Sequence, residues 1–263
     1  MQENKKLKIV SSKKSRYILP NILTICGVCL GISSIKFSLD QNYQLAVIFI
    51  MFAAILDALD GRIARLIKAT SEFGKELDSL TDFVSFGIAP AFVMYFWELN
   101  NLGKLGWLIT LMYSVCCVLR LARFNLTKFT EKENWKNNYF EGIPSPLGGV
   151  LILIPLILSL SDFRFFLDLR SFVPYFTILI SILLISKIPT FSFKKIKINP
   201  KITIFILFIV GISLAGLIFF TFESLLIFGL LYVLTIPISS IMYMRNKNKL
   251  MDLSKEDDHE DVL

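Results

Sequence analysis

The sequence is poor in the side chains that most often bind metals or transfer protons. It contains one histidine, His259, in an acidic C-terminal tail, and four cysteines among 263 residues. Cys26 and Cys29 are spaced as a C-x-x-C pair, and Cys116 and Cys117 are neighbours in the sequence. Both pairs lie within apolar runs that offer no further nitrogen or sulfur ligands. Such cysteines are typical of packing residues rather than of a zinc site. With no other histidine in the chain, a carboxylate must serve as any general base.

Charged residues are also scarce, at 19% of the chain, whereas 54% is hydrophobic. This composition excludes an ordinary soluble domain and predicts an all-α polytopic membrane protein, because an apolar helix of about 20 residues crosses the hydrocarbon core. About eight such spans are predicted, at residues 17–38, 43–62, 79–98, 104–124, 146–161, 172–187, 202–221 and 224–244. The chain then divides into a basic cytoplasmic segment (1–16), a transmembrane domain (17–244) and a charged, disordered tail (245–263).

The positive charge is distributed unevenly along the chain, whose net charge is +7. If the N-terminus is cytoplasmic, all but four of the 28 Lys and Arg residues fall on the cytoplasmic side. The exceptions are Lys36, Lys104, Arg164 and Arg170. This bias predicts the orientation of a multi-pass protein in the cell (inner) membrane. Basic juxtamembrane segments attract anionic lipid headgroups, so the charge does not indicate nucleic-acid binding.

An acidic motif lies between the second and third predicted spans. It reads D-x-x-D-G-x-x-A-R-x8-G-x-x-x-D-x-x-x-D, with carboxylates at Asp57, Asp60, Asp78 and Asp82. Residues three and four apart share a helix face, so each pair of acids lies on one face, where like charges repel. Carboxylates beside a bilayer need a positive partner. Because oxygen ligands alone favour Mg²⁺ or Mn²⁺, the motif predicts a site for divalent cations facing the cytoplasm.

The same motif has features that suit a phosphate group. Gly61, Ala64 and Gly74 remove side chains from its surface, which allows a phosphate-bearing ligand to approach the helix closely. Arg65 offers a fork of donors that matches a phosphate.

Two further segments carry polar side chains at the ends of predicted spans. In P-N-I-L-T, Asn21 and Thr24 could hydrogen-bond to a nucleotide or cap a turn. In R-L-A-R-F-N, Arg120 and Arg123 lie three residues apart and are followed by Asn125. Two guanidinium groups suit an anionic acceptor, although juxtamembrane arginines also serve as topological anchors.

The stretch from Asp57 to Asp82 resembles the signature of the CDP-alcohol phosphotransferases without a gap or substitution. Members of that family are integral membrane enzymes that move a phosphatidyl or related group from a CDP-linked donor to an alcohol and release CMP. The resemblance implies that the four aspartates surround two divalent ions and that Asp82 also takes the proton of the acceptor. The residues that it implies for CDP binding are Asn21, Thr24, Asp57, Gly61, Arg65, Ser71, Gly74 and Asp78. It also implies a homodimer.

The acceptor is suggested by two loops, F-E-G-I-P-S-P at 140–146 and S-K-I-P-T-F-S-F-K-K at 186–195. Both resemble cytoplasmic loops of the bacterial members of this family that use serine. The resemblance implies transfer of the phosphatidyl group from CDP-diacylglycerol to L-serine, giving phosphatidylserine and CMP. Arg120, Arg123 and Asn125 are then the candidate acceptor-binding residues.

Other interpretations stay open on the sequence. Paired arginines also fit glycerol 3-phosphate or inositol phosphate as the acceptor. Intramembrane prenyltransferases place Asp-rich motifs around Mg²⁺ and a diphosphate, but without the intervening Gly, Ala and Arg pattern. A cation transporter would carry acids near the middle of several spans, and here they cluster at one edge. Isolated acidic residues on an exposed helix are usually solvated and have no further role. The motif between Asp57 and Asp82 matches at eight defined positions, which argues against that interpretation for its aspartates.

Overall fold

A computed structural model describes residues 18–68, 71–127, 139–162, 170–191 and 200–260, and nearly all of them are helical. The helices are α1 (Ile18–Leu39), α2 (Tyr43–Leu66), α3 (Glu72–Asp82), α4 (Ala89–Trp97), α5 (Lys104–Thr127), α6 (Ser145–Leu151), α7 (Ile154–Leu160), α8 (Val173–Ile185), α9 (Pro200–Phe219) and α10 (Thr221–Glu260). Two strands, β1 (Tyr139–Glu141) and β2 (Pro189–Phe191), complete the secondary structure together with a π-helical segment (Phe83–Ile88) and short 3₁₀ turns. The basic N-terminal segment predicted at 1–16 lies outside the described residues.

Five helical stretches within the described residues are long and apolar enough to cross a membrane. They are Ile18–Leu39, Tyr43–Leu66, Glu72–Trp97, Lys104–Leu126 and Thr221–Met244. The prediction of an all-α, multi-pass membrane protein is therefore confirmed, whereas the count of eight spans is not.

The predicted span at 146–161 is broken in the structure. Helix α6 ends at Leu151, and α7 begins at Ile154 with Pro155 in its first turn. A proline ring crowds the carbonyl group four residues earlier, here that of Leu151, and proline has no amide hydrogen to donate to it, so the helical hydrogen bonding is interrupted at this point. The next predicted span, at 172–187, is the 13-residue helix α8, which is short for a crossing.

The chain divides into two compact units, and the first, Met1–Leu121, contains the acidic motif. Helix α1 packs along α2 and also contacts α3 and α4. The buried residues of α1 are mostly small, and they are Pro20, Thr24, Gly27, Gly31, Ser34 and Ser38. Small side chains let helix backbones approach closely in a membrane. At Gly31, for example, a Cβ atom would lie 2.9 Å from the Cα atom of Ser85.

Side-chain caps set the starts of the two helices that carry the acids. The Asn42 side chain accepts a hydrogen bond from the Leu45 amide at 3.2 Å, where α2 begins. The Ser71 hydroxyl accepts one from the Gly74 amide at 3.0 Å, where α3 begins. Each cap satisfies an amide that the first turn of a helix leaves without a partner.

The second unit, Ala122–Leu263, is built around the buried residues of α6 and α7. Strands β1 and β2 pair antiparallel, with Phe140 opposite Thr190. Gly142 follows β1 with φ = 74°, and its amide donates to the Ile188 carbonyl at 2.9 Å. The Thr190 hydroxyl returns a hydrogen bond to the Gly142 carbonyl at 2.8 Å. The two loops that carry the resemblance to serine-using enzymes are therefore joined to each other.

The charged region predicted as a tail, residues 245–263, lies partly within the last helix. Helix α10 continues through the charged region as far as Glu260. Residues 245–260 contain neither glycine nor proline, the two residues that most disfavour a helix interior.

Candidate metal centre

The four aspartates of the motif lie together in the first unit. Asp57 and Asp60 occupy the last turns of α2, and Asp78 and Asp82 the second half of α3. Asp57, Asp60 and Asp78 each present a carboxylate oxygen, and these oxygen atoms lie within 4.8 Å of one another. The carboxyl group of Asp82 lies beside that of Asp57, within hydrogen-bonding reach. The spacing on each helix and the packing of the two helices thus bring all four acids to one place.

Helix α1 holds one of these carboxylates. The Thr24 hydroxyl donates a hydrogen bond to Oδ2 of Asp60 at 2.5 Å, across 36 residues of sequence. Its oxygen also lies 3.0 Å from the Pro20 carbonyl, one turn earlier on α1. Asp60 is only 4% exposed, so its orientation is set by the protein rather than by solvent. Thr24, a predicted CDP-binding residue, therefore contacts a predicted metal ligand.

A second group of predicted site residues lies one helical turn from the acids. A Cβ atom on Gly74 would come within 3.1 Å of the Ser71 hydroxyl and 3.3 Å of Oδ1 of Asn21. Asn21 precedes Thr24 by three residues, and Gly74 precedes Asp78 by four. Asn21, Ser71 and Gly74 therefore form a narrow polar surface next to the carboxylates, and glycine leaves it open.

Gly61 and Arg65 lie close to each other at the end of α2. A Cβ atom on Gly61 would lie 3.9 Å from one terminal nitrogen of the Arg65 guanidinium, which reaches back over the glycine. Arg65 is exposed, so its charged end is accessible to a ligand.

The carboxylates of Asp57, Asp60 and Asp82 border a small cleft. The residues that line it are Thr24, Gly27, Ala53, Asp57, Asp60, Thr81, Asp82, Ser85 and Phe86. Five of these, namely Gly27, Ala53, Thr81, Ser85 and Phe86, were not predicted as site residues. Three of the five could have been predicted from helical spacing, because Ala53 lies one turn before Asp57, and Ser85 and Phe86 lie one turn after Asp82.

The donor set fits hard divalent cations. Among the residues that the structure describes, no lysine or arginine forms an ion pair with Asp57, Asp60 or Asp82. Carboxylates packed this closely repel one another unless a positive charge lies among them. Oxygen donors alone suit Mg²⁺, Mn²⁺ or Ca²⁺ and do not favour zinc.

The three predicted acceptor residues occupy different surroundings. Arg120 belongs to the first unit and is 5% exposed. In the second unit, Arg123 donates a hydrogen bond of 2.5 Å to the carbonyl of Ile185, the last residue of α8, and Asn125 is half-buried. A cation at a helix C-terminus stabilises that end of the helix, so Arg123 has a structural contact in addition to any contact with a ligand.

Comparison with known proteins identifies the family. The model of the CDP-alcohol phosphatidyltransferase family matches residues 17–185, which include all four aspartates. The chain is 34% identical to the CDP-diacylglycerol–serine O-phosphatidyltransferase of Mycobacterium tuberculosis over 221 residues, covering 84% of this chain and 77% of that protein. It is 34% identical to the enzyme of the same name from Helicobacter pylori over 239 residues, covering 89% and 97%. The Bacillus subtilis enzyme of that name is 34% identical over 183 residues, covering 67% and 92%.

Proposed function

Because the chain belongs to the CDP-alcohol phosphatidyltransferase family, we propose that it transfers the phosphatidyl group of CDP-diacylglycerol to L-serine, giving phosphatidylserine and CMP. The observation that carries this proposal is the convergence of four aspartates from α2 and α3: Asp57, Asp60 and Asp78 present oxygen atoms within 4.8 Å of one another. Asp82 lines the same cleft as Asp57 and Asp60. The choice of serine is supported by the relatives from Mycobacterium tuberculosis, Helicobacter pylori and Bacillus subtilis, each of which is named a CDP-diacylglycerol–serine O-phosphatidyltransferase.

Two divalent ions, Mg²⁺ or Mn²⁺, would be held by Asp57, Asp60, Asp78 and Asp82. Such ions, when bound, neutralise the charge of the diphosphate and of the departing CMP. Thr24 keeps Asp60 turned toward the cleft through its 2.5 Å hydrogen bond. This arrangement requires no rearrangement of Asp60 before a ligand binds.

The donor's nucleotide would lie along the polar surface beside the acids. Gly61 and Gly74 keep the helix surface open, and Arg65 supplies guanidinium donors for a phosphate. The remaining CDP contacts that we propose are Asn21, Thr24, Asp57, Ser71 and Asp78. The acyl chains would stay in lipid, since the site lies at the end of apolar helices.

Asp82 is the residue that we propose as the base. The serine hydroxyl loses its proton to the Asp82 carboxylate while its oxygen forms a bond to the phosphatidyl phosphorus. The bond from that phosphorus to the bridging oxygen of CMP breaks, and CMP leaves with the electron pair. A single displacement of this kind inverts the configuration at phosphorus. Retention in an experiment with a chiral donor would indicate a covalent intermediate instead.

The acceptor would bind near Arg120, Arg123 and Asn125, whose charges suit the carboxylate of serine. The positive-inside bias of the sequence supports a location in the cell (inner) membrane with the active site facing the cytoplasm. A homodimer is part of the same proposal, by analogy with the family.

A panel of acceptors tests the function directly. The full chain, purified in detergent, is incubated with radiolabelled CDP-diacylglycerol, Mg²⁺ or Mn²⁺, and L-serine, glycerol 3-phosphate, inositol phosphate or no acceptor. We expect CMP release and a labelled phosphatidylserine product with serine alone. CMP release only with glycerol 3-phosphate or inositol phosphate would show that this compound, and not serine, is the acceptor. Inhibition by pyrophosphate rather than by CMP would favour a prenyltransferase. Metal-dependent CMP release in detergent also excludes transport as its cause, because detergent solution has no compartments for a transporter to move ions between.

A further inference from the structure

The helix that carries Asp82 changes its hydrogen-bonding pattern at that residue. The segment Phe83–Ile88 is π-helical, and the Ala89 amide at its end donates to the carbonyl of Val84, five residues earlier. Ser85 and Phe86 within this segment line the cleft together with Asp82. The direction of the segment therefore affects which way Asp82 points. Single π-helical turns of this kind occur frequently at functional sites.

The cause of the change lies in Pro90, which is in the first turn of α4. Proline has no amide hydrogen, so it cannot donate to the carbonyl of Phe86 four residues earlier, and its ring crowds that carbonyl. Inside a membrane, a backbone carbonyl that loses its helical partner needs another donor.

Tyr113 of α5 provides that donor. Its hydroxyl donates a hydrogen bond to the Phe86 carbonyl at 2.9 Å, and Tyr113 has no exposed surface. Its neighbour Ser114 lies 3.4 Å from the Gly87 carbonyl, the next one along the segment. From the other side, the Ser85 hydroxyl donates to the Gly27 carbonyl of α1 at 3.2 Å. The π-helical segment is thus held between α1 and α5 by side-chain hydrogen bonds.

We propose that Tyr113 is a positioning residue for the aspartate site. By donating to the carbonyl that Pro90 leaves without its helical donor, the Tyr113 hydroxyl fixes the π-helical segment and, through it, the orientation of Asp82 in the cleft. Tyr113 contacts neither the ions nor the substrates in this scheme. The inference rests on the proposed function for its consequence in turnover, but its effect on the site itself can be measured by metal binding alone.

The test compares Tyr113→Phe with Tyr43→Phe in the full chain. Tyr43 is a matched control because its hydroxyl also donates to a backbone carbonyl, that of Phe96, at 3.0 Å near the far end of α4. Each variant loses one hydroxyl and keeps its ring. Mn²⁺ affinity is measured by electron paramagnetic resonance on detergent-purified protein, and thermal stability, kcat and KM are measured on the same samples.

For Tyr113→Phe we expect Mn²⁺ affinity to fall about tenfold, as outer residues that orient metal ligands typically affect affinity by that factor or more. We expect kcat to fall about tenfold or more, with the KM for CDP-diacylglycerol changed less than twofold, since small misplacements of a reacting group act mainly on turnover. Tyr43→Phe should retain wild-type Mn²⁺ affinity and kcat. Wild-type Mn²⁺ affinity in Tyr113→Phe, or an equal loss in Tyr43→Phe, would overturn the proposal.

Two further results keep the inference separate from the proposed function. If the wild-type chain releases no CMP with any acceptor, the proposed function fails, while the Mn²⁺ comparison of the two tyrosine variants still decides the role of Tyr113. If Tyr113→Phe does not fold, Ser114→Ala takes its place, because Ser114 is the other α5 residue whose hydroxyl lies beside this segment, 3.4 Å from the Gly87 carbonyl and 3.2 Å from the Thr110 carbonyl. A Mn²⁺ affinity reduced in Ser114→Ala supports the proposal, and an unchanged one contradicts it.

Discussion

The Thr24 hydroxyl and the Asp60 carboxylate form a 2.5 Å hydrogen bond that links α1 to the acidic end of α2. Asp60 is 4% exposed, whereas the other three aspartates of the motif are half-buried. A buried carboxylate with one fixed hydrogen bond has few orientations, so its remaining oxygen lone pairs are directed before any ion arrives. Pre-orientation of this kind reduces the cost of assembling a metal site.

Removal of this hydrogen bond should weaken metal binding. For Thr24→Val, which keeps the side-chain shape, we expect the Mg²⁺ or Mn²⁺ concentration for half-maximal activity to rise about tenfold. Thr24→Ser keeps the hydroxyl and should stay near wild type. Thr110→Val is the matched control, because Thr110 is also buried and also contacts a carbonyl one turn earlier, that of Gly106 at 2.8 Å, but no aspartate. Equal effects of the two valine variants would show that only helix stability had changed.

Substitution of the proposed base should separate turnover from binding. In Asp82→Asn we expect kcat to fall by roughly 10²- to 10⁴-fold, the range typical of general-base catalysis, while most CDP-lipid binding is preserved. Asp40→Asn makes the same chemical change at an exposed aspartate paired with Lys36 and should leave kcat unaltered. Binding of a labelled CDP-lipid by filtration or calorimetry, measured beside kcat, is the deciding comparison. If Asp82→Asn loses binding in proportion to turnover, Asp82 acts as a metal ligand and another group is the base.

A side chain at Gly74 should obstruct the polar surface next to the acids. A Cβ atom there would lie 3.1 Å from the Ser71 hydroxyl and 3.3 Å from Oδ1 of Asn21, closer than ordinary contacts. For Gly74→Ala we expect the KM for CDP-diacylglycerol to rise about tenfold, since overpacking typically costs ~1–3 kcal/mol and ~1.4 kcal/mol corresponds to that factor. Gly211→Ala is the control, because a Cβ atom on that helical glycine meets no atom within 4 Å. An unchanged KM in Gly74→Ala would remove this surface from the CDP site.

The aspartate cluster could be predicted from the sequence because the relevant information is local. Asp57 and Asp60 lie three residues apart, and Asp78 and Asp82 four apart, so each helix orients its own pair. The connection between α2 and α3 is short, which keeps the two pairs in neighbouring elements. The membrane class was equally accessible, since apolar runs of spanning length are read directly from the chain.

Contacts between distant parts of the sequence could not be predicted in the same way. Thr24 was associated with CDP, but nothing in its surroundings indicates Asp60, which is 36 residues away. Tyr113 lies in an apolar run, and its hydrogen bond to the Phe86 carbonyl depends on how α5 packs. The β1–β2 pairing was missed because strands of three residues are too short to show an alternating pattern. Pro155, by contrast, was a visible signal that the span at 146–161 would break.

The end of α8 gives the last prediction, through Arg123. Its guanidinium donates to the carbonyl of Ile185, a group that the helix itself leaves without a partner. For Arg123→Ala we expect a loss of about 1.5–3 kcal/mol in the free energy of unfolding, the range for hydrogen bonds from charged groups. Lys187→Ala is the matched control, because it removes an exposed cation two residues beyond Ile185. The side-chain donor to the Ile185 carbonyl is Arg123, not Lys187. Denaturant unfolding of the detergent-solubilised chain, monitored by tryptophan fluorescence, measures both variants.

The same Arg123 variant also tests the proposed acceptor site when its kinetics are measured with Arg120→Ala. Arg120 is buried, and loss of either guanidinium should raise the KM for serine if both contact its carboxylate. Arg123→Ala with reduced stability and an unchanged serine KM would restrict that residue to holding the end of α8. An unchanged KM in both variants would remove the arginine pair from the acceptor site, and the acceptor's carboxylate would then need a different cation.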